Sequence, residues 1–398
     1  MKIFLCECKK MMSFRIFWII FVCLFAINGY VQIDRINDRY YTPESYRSFF
    51  SETKDMSLEE IQDYTNEMLE RQNNGEYIEF PMMLVYDMSE LSKECENYPE
   101  YLNSIKEQTN NMSAVSIWGD SDTFSYRNIQ KTPSAYENLP AEPLPLAASF
   151  GLENTFTSPI TDFMGIFLVF LAVCGIILKD REHGITFLLS SMPKGRSSLI
   201  LSKLFAVSLF ASFVAVMLFA ENLVIGGALY GIGELQRPIQ SVFGFYQCNL
   251  AVSVGEFLLL FFILKIASYL LFAMIFSLIC TVSRNNLMIY GISGAVCTIA
   301  FLCYRLIPQN SVFQLFHDWN PIKFTQTAEI LGTYQNVNLF GYPVSLKISM
   351  IIIIVITIVS VILCCIFAVE KLNHVQYQSV RLKKSRRMED FFMFVIVH

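Results

Sequence analysis

Few side chains in this sequence stand in patterns that make or break bonds. His183, His317, His374 and His398 are isolated, with no H-E-x-x-H pair and no nucleophile elbow around any of them. His317-Asp318 reads as a solvated loop pair rather than a catalytic dyad. No G-x-x-x-x-G-K-[ST] phosphate loop occurs, which removes that route to binding ATP. Cys6-x-Cys8 lacks the second ligand pair that a zinc site needs, so no metal is assigned. The chain is therefore expected to be no enzyme, to bind no cofactor directly and to have no business with nucleic acid.

Charges in apolar company are more informative. Lys265 lies deep in an apolar run, where insertion of a charge costs roughly 2.5–3.5 kcal/mol, so it must face the protein interior or a wet cavity. It reads either as a snorkelling or interhelically bonded lysine, or as part of a substrate pathway together with Glu221 near the end of another apolar run. The second unusual stretch is Lys179 to Lys203. Gly184 breaks the preceding helix, and Pro193 to Gly195 make a turn. Between them Phe187, Leu188 and Leu189 form a short apolar ridge with charges on both flanks. Such an element can offer its ridge to a partner or simply rest on a membrane surface.

The elements that hold these residues are set by composition. Hydrophobic residues make up 54% of the 398 and charged residues 16%, with mean hydropathy +0.42. A soluble domain carries about 25% charged residues, so much of this chain belongs in a bilayer. Apolar runs fall at roughly 14–33, 162–178, 204–225, 254–281, 287–307 and 346–369. Each approaches the ~20 residues that a ~30 Å hydrocarbon core demands. The first reads as an uncleaved anchor rather than a signal peptide. The expected fold class is an all-α polytopic membrane protein with about six transmembrane helices. A mixed, partly helical extracytoplasmic domain lies between helices one and two. The divisions are 1–33, an amphipathic segment plus the first helix; 34–160, the extracytoplasmic domain; 161–370, a five-helix domain; and 371–398, a basic tail. Within the five-helix domain, 179–203 is a cytosolic loop and 308–345 an external interfacial segment.

Charge asymmetry supplies the orientation. With the N-terminus inside, the cytosolic parts hold 16 Lys+Arg against 6 Asp+Glu, and the outer parts hold 13 against 29. Basic short loops stay cytosolic, so both termini are expected inside. Lys9, Lys10 and Arg15 then flank a short helix lying on the inner membrane surface.

Helix punctuation is clear in the polar region. Thr42-Pro43 reads as N-cap and first-turn proline. Ser57 and Glu60 form a capping box ahead of Leu58, Ile61, Thr65, Met68 and Leu69, and Asn73-Asn74-Gly75 stops that helix. Residues 79–87 resemble a strand interrupted by Pro81. Near the end of the chain, Asn320-Pro321 starts a helix that Gly332 ends, with Phe324, Ala328 and Leu331 on one face. Gly291-x-x-Gly294-Ala295 suits close helix packing. Whether Cys95 and Cys248 pair is not readable from spacing.

The series Glu182, Gly184, Leu188-Leu189-Ser190, Pro193, Arg196, Leu199 and Ser202-Lys203 resembles the cytosolic loop of type-2 ABC transporter permease subunits. The layout does too: a basic amphipathic N-terminus, one span, a large external domain and five further spans. Trp319-Asn320-Pro321 and Val337-Asn338-Leu339-Phe340-Gly341 are similar to the external segment of many bacterial members. This chain reads Gly184-Ile185-Thr186 where the family often has glycine followed directly by threonine. The resemblance implies an exporter-type permease of a bacterial cell membrane, moving substrate by alternating access. A separate ATPase subunit, holding ATP and magnesium, would contact Glu182, Gly184, Thr186, Phe187, Leu188, Leu189, Pro193, Arg196, Lys203 and the surface helix. A second permease subunit, identical or not, would complete the transporter. The competing expectation is a membrane-anchored sensor or envelope scaffold that uses the external domain to bind a ligand or partner.

Overall fold

The computed structural model describes residues 2–37, 40–114, 122–182, 196–283, 285–308 and 313–368. Among the described residues six helices are long and apolar enough to cross a membrane: Arg15–Arg35, Pro159–Leu178, Ser198–Tyr230, Val254–Val282, Asn286–Leu306 and Leu346–Ala368. They are called here the first to sixth spans. The protein is an all-α polytopic membrane protein, and the spans agree with the apolar runs to within a few residues at most ends. The third is the exception. Its helix starts at Arg196, and 35 residues at 1.5 Å each make it about 52 Å long.

Ahead of the spans lies helix α1 (Lys2–Met12), which a short turn joins to the first span. The second span is a regular helix to Val173, then a five-residue π turn, Cys174–Leu178, then one helical turn, Lys179–Glu182. Gly175 lies in that π turn for a reason of space. A Cβ there would stand 2.6 Å from the Phe14 ring and 3.2 Å from the Met11 sulfur, so the glycine lets the α1 corner rest on the helix backbone.

Between the first and second spans, helices α2 (Pro43–Glu52), α3 (Leu58–Asn73), α4 (Met82–Glu96), α5 (Tyr98–Ala114) and α6 (Phe124–Ala135) build the polar domain. The expected caps are present: Thr42 accepts from the Ser45 N–H, and Ser57 and Glu60 satisfy each other's backbone amides. The expected strand at 79–87 is a helix instead. Leu84, Val85, Met88, Leu91, Ser92 and Cys95 are buried at helical spacing, a period that extends beyond the window read as a strand. Pro81 precedes the first helical residue, where its missing N–H costs nothing. Cys95 and Cys248 are both buried free thiols.

A hairpin of β1 (Asn336–Leu339) and β2 (Tyr342–Ser345), pairing Asn336 with Ser345 and Leu339 with Tyr342, lies against α6. Arg127 donates to the Gly341 carbonyl at 3.2 Å and stacks 4.2 Å from the Tyr342 ring centre.

The polar domain is seated on the bundle by Tyr46. Its ring is fully buried, 4.7 Å from Phe150 and 5.2 Å from Tyr230 at the end of the third span. Its phenolic oxygen accepts from the Ser149 N–H at 3.0 Å. Burial pushes the phenol up to about 12, so it stays neutral. Tyr46→Phe leaves that amide buried and unpaired, a loss of about 1–3 kcal/mol. The full-length protein in detergent should then show a lower unfolding temperature, and Tyr46→Ala a still lower one because it also opens a cavity.

Candidate functional site

Two polar centres sit at opposite ends of the second span. The first is inside the bundle. Lys265, 1% exposed, projects from the fourth span and donates to both carboxylate oxygens of Asp162, at 2.7 and 2.8 Å. It also donates to the Thr325 carbonyl. Its ammonium lies 4.3 Å from the Phe219 ring centre and 5.5 Å from that of Phe261, so aromatic faces complete its surroundings. The carbonyl is free because the chain after Pro321 does not form the single expected helix. It makes two short ones, Pro321–Thr325 and Thr327–Gly332, broken at Gln326. The break leaves two carbonyls without helical partners. Phe324 O accepts from Ser268 at 2.6 Å and Thr325 O from Lys265. Phe324, Ala328 and Leu331 are all buried, as their spacing predicts.

Beside this pair runs a network joining the first three spans. Asn28 donates to Glu221 at 2.9 Å and to Asn222 at 2.7 Å. Asn222 donates to Thr161 at 3.0 Å, and Thr161 donates back to Asn28 at 2.6 Å. Glu221 and Lys265 are not in contact. Hydrogen bonds lead from Glu221 to Asn28 and Thr161, whose neighbour Asp162 holds Lys265.

The second centre lies at the α1 end. Asp180 accepts from Lys10 at 2.7 Å and from Lys203 at 2.5 Å. Lys10 also bonds Glu7 at 3.0 Å, and Lys203 reaches the Ile176 carbonyl of the π turn at 3.4 Å. One carboxylate thus fastens α1, the end of the second span and the start of the third. Burial alone would push the Asp180 carboxyl up, but the hydrogen bonds and charges of Lys10 and Lys203 hold it below its ordinary 3.8. Burial likewise opposes the Lys10 charge, and Asp180 with Glu7 overcomes it, raising Lys10 above 10.5.

Of the site residues expected from sequence, Lys10, Lys203 and Lys265 are drawn into these centres, and Glu221 into the neighbouring network. Lys9 and Arg15 are exposed on α1 and at the start of the first span. Gly184, Thr186, Phe187, Leu188, Leu189 and Pro193 lie outside the described residues, as do the side chains of Glu182 and Arg196 and the tail 371–398. Sequence reasoning missed Asp162, Asp180, Asn28 and Asn222. The available signal was that an aspartate in the first turn of one span and a lysine inside another each need a partner in hydrocarbon.

Two smaller expectations are corrected. His317 and Asp318 are buried and bonded at 2.8 Å, under the Tyr304 ring stacked 5.4 Å away, because the fifth span folds over them. Gly291 and Gly294 meet nothing within 4 Å among the described residues, so no described helix of this chain packs on them.

Lys265→Met leaves the Asp162 carboxylate buried without its counter-charge, a loss of about 3–5 kcal/mol, whereas replacing both members of such a pair is often neutral. Thermal unfolding in detergent should therefore rank Lys265→Met below the Lys265→Met, Asp162→Leu double variant. A second expectation concerns pH. Asp180 contributes stability above 3.8 that is lost as pH falls through its lowered value. Lys10 contributes below 10.5 and loses that as pH rises through its raised value. Docking of α1, read as labelling of half-buried Cys8 relative to exposed Cys6 on the same helix so that the shared fall in thiolate with pH cancels, should stay constant from near neutral pH downward until the solution becomes more acidic than the usual carboxylate range.

Comparison with known proteins adds a family. The ABC-2 family transporter protein model matches residues 1–371. No curated protein and no solved structure gives a significant match. With six spanning helices and a family match that runs from α1 through the sixth span, the chain belongs to the ABC-2 family of transporter proteins and is a multi-pass ABC transporter permease.

Proposed function

We propose that this permease is driven by a separate ATPase subunit that docks on α1 and on the loop between the second and third spans. ATP with magnesium would be held by that partner, and export would proceed by alternating access in a pair of permease subunits. The supporting observation is the Asp180 clamp. Lys10 of α1 and Lys203 of the third span share one carboxylate, Asp180, four residues before Gly184 in the sequence. A displacement imposed on α1 or on either end of the loop is then transmitted to both spans together, because charged hydrogen bonds of about 1.5–3 kcal/mol resist their separation. Glu182, Gly184, Thr186, Phe187, Leu188, Leu189, Pro193 and Arg196 are assigned to the docking surface, and the α1 side of the bundle to the cytosol. An anchor or scaffold needs neither six spans nor a clamp at the base of a loop, which favours transport over the sensor reading.

The test is reconstitution of the full-length chain with the ATPase that copurifies with it. Asp180→Ala should weaken transport-coupled ATP turnover about tenfold, the equivalent of about 1.4 kcal/mol, and reduce copurification of the ATPase. Glu7→Gln, which leaves Asp180 bonded to both lysines, should do less. Full coupling in Asp180→Ala, or failure of any ATPase to copurify with the wild-type chain, contradicts the proposal.

A further inference from the structure

Glu221 is a carboxyl group inside a spanning helix, and it forms no ion pair among the described residues. It lies half-buried against the first span, where a Cβ at Gly29 would stand 2.8 Å from its Oε1, so the glycine makes room for it. Its one hydrogen-bond donor among the described residues is Asn28. Asn28 stands seven residues before Arg35, which places the carboxyl about 10 Å inside the polar-domain end of the first span. Val224, one turn further along the third span, is exposed, so this flank of the bundle faces hydrocarbon. An ionised carboxylate is costly at such a depth, and intramembrane acids of this kind occur in proton relays.

The charges on the elements packed against the third span do not neutralise it. Lys265 is spent on Asp162, and Lys10 and Lys203 on Asp180 at the opposite end. Arg35 donates to the Thr157 carbonyl and Arg237 to those of Ala147 and Ala148. Arg47 of α2 is exposed beyond the span. Asp34, Glu44, Glu52, Glu153 and Glu256, toward the same end, are acids that only add to the cost of a charge.

The second observation is the direction of the hydrogen bonds that reach Glu221. Asn28 spends both amide N–H groups, on Glu221 and Asn222, and its carbonyl accepts from Thr161. The single hydroxyl proton of Thr161 is thereby committed, so Ser158, 2.7 Å away, must donate to Thr161. Ser158 in turn accepts from the Gln32 amide at 2.5 Å. Donors therefore run one way, from Gln32 through Ser158, Thr161 and Asn28 to Glu221. Bonds aligned in this manner polarise one another. The string starts on an open acceptor: Gln32 is 1% exposed, and its Oε1 has no donor among the described residues. Gln32 lies three residues before Arg35, so a donor arriving from the aqueous side meets that oxygen first.

We infer that Glu221 is a proton-binding site, a carboxyl that takes up a proton entering past Gln32 from the polar-domain side. A hydronium ion gives up the proton and leaves water, and the new O–H bond forms at Oε1. Asn28 keeps its bond to Oε2, which as a carbonyl oxygen still accepts. The inference does not rest on the ATPase reading.

The full-length chain in phosphatidylethanolamine–phosphatidylglycerol vesicles is treated with dicyclohexylcarbodiimide, an apolar reagent that adds to a carboxyl carrying its proton. Near neutral pH the adduct should appear on the peptide containing Glu221 and not on exposed Glu234. Labelling should fall as the pH is raised. It should disappear in Glu221→Gln, an isosteric change that keeps an acceptor for Asn28. Infrared spectra should show a protonated-carboxyl band that Glu221→Gln removes and that shifts on transfer to heavy water. In Gln32→Leu the band should remain while its shift slows several-fold. Absence of both adduct and band near neutral pH would show a charged Glu221 and overturn the inference. Suppression of the adduct by sodium at constant pH would overturn it in favour of a bound metal cation. An unchanged exchange rate in Gln32→Leu would overturn the entry past Gln32.

Discussion

Hydrocarbon offers no partner to a charge, and the arrangement of this bundle follows from how the Lys265 ammonium is satisfied inside it. Three elements converge on that group: the second span brings Asp162, the fourth brings the lysine and two aromatic faces come from the third and fourth. The segment after the fifth span is drawn in as well, because its helix breaks where the Thr325 carbonyl turns toward the ammonium. A helix break inside a membrane protein is tolerated only where the freed carbonyls find donors. Here Ser268 and Lys265 provide them. The buried pair and the broken helix therefore depend on each other, and each explains what would otherwise be a costly feature of the other.

The second span is held at both ends by carboxylates of this kind. Asp162 fixes one end to the fourth span, and Asp180 fixes the other to α1 and the third span. Between them lies the π turn Cys174–Leu178, where one extra residue per turn loosens the regular ladder. Lys203 reaches into that turn through the Ile176 carbonyl, and Gly175 admits Phe14 against it. A helix pinned at both ends yields most easily at such a turn. In the proposed transport cycle, motion delivered to Asp180 would be absorbed or passed on there before it reaches Asp162.

How much of this was legible in the sequence varied with the range of the interaction. Spans, caps and helix α1 rest on periodicity and on neighbours three or four residues apart, so Thr42, Ser57, Glu60 and Gly75 were readable directly. The pairing of Lys265 was not. Asp162 is the fourth residue of its span and Lys265 the twelfth of its own, a nominal offset of about 12 Å along the helices. They meet because the 29-residue fourth span begins well beyond the start of the second. No count along the chain reveals that stagger. The break at Gln326 was hidden for a related reason, since its cause is a donor on another helix. The strand expected at 79–87 failed differently. Its window was too short to show that the apolar period is helical, and Met82–Glu96 shows it plainly.

The same physics decides what the interior pair can do. Lys265 makes three hydrogen bonds, two to Asp162 and one to Thr325, which uses every donor of an ammonium. Asp162 also accepts from Gln326 at 3.4 Å, and Tyr269 packs on Gly165 one turn away. In this arrangement the ammonium has no donor left for a passing solute. A role in the substrate path would require the broken segment at 321–332 to withdraw and release the third bond. Whether charge or packing dominates here therefore turns on Thr325: its carbonyl is the one partner of Lys265 on a segment outside the spanning helices, and so the one most easily removed by movement of that segment alone.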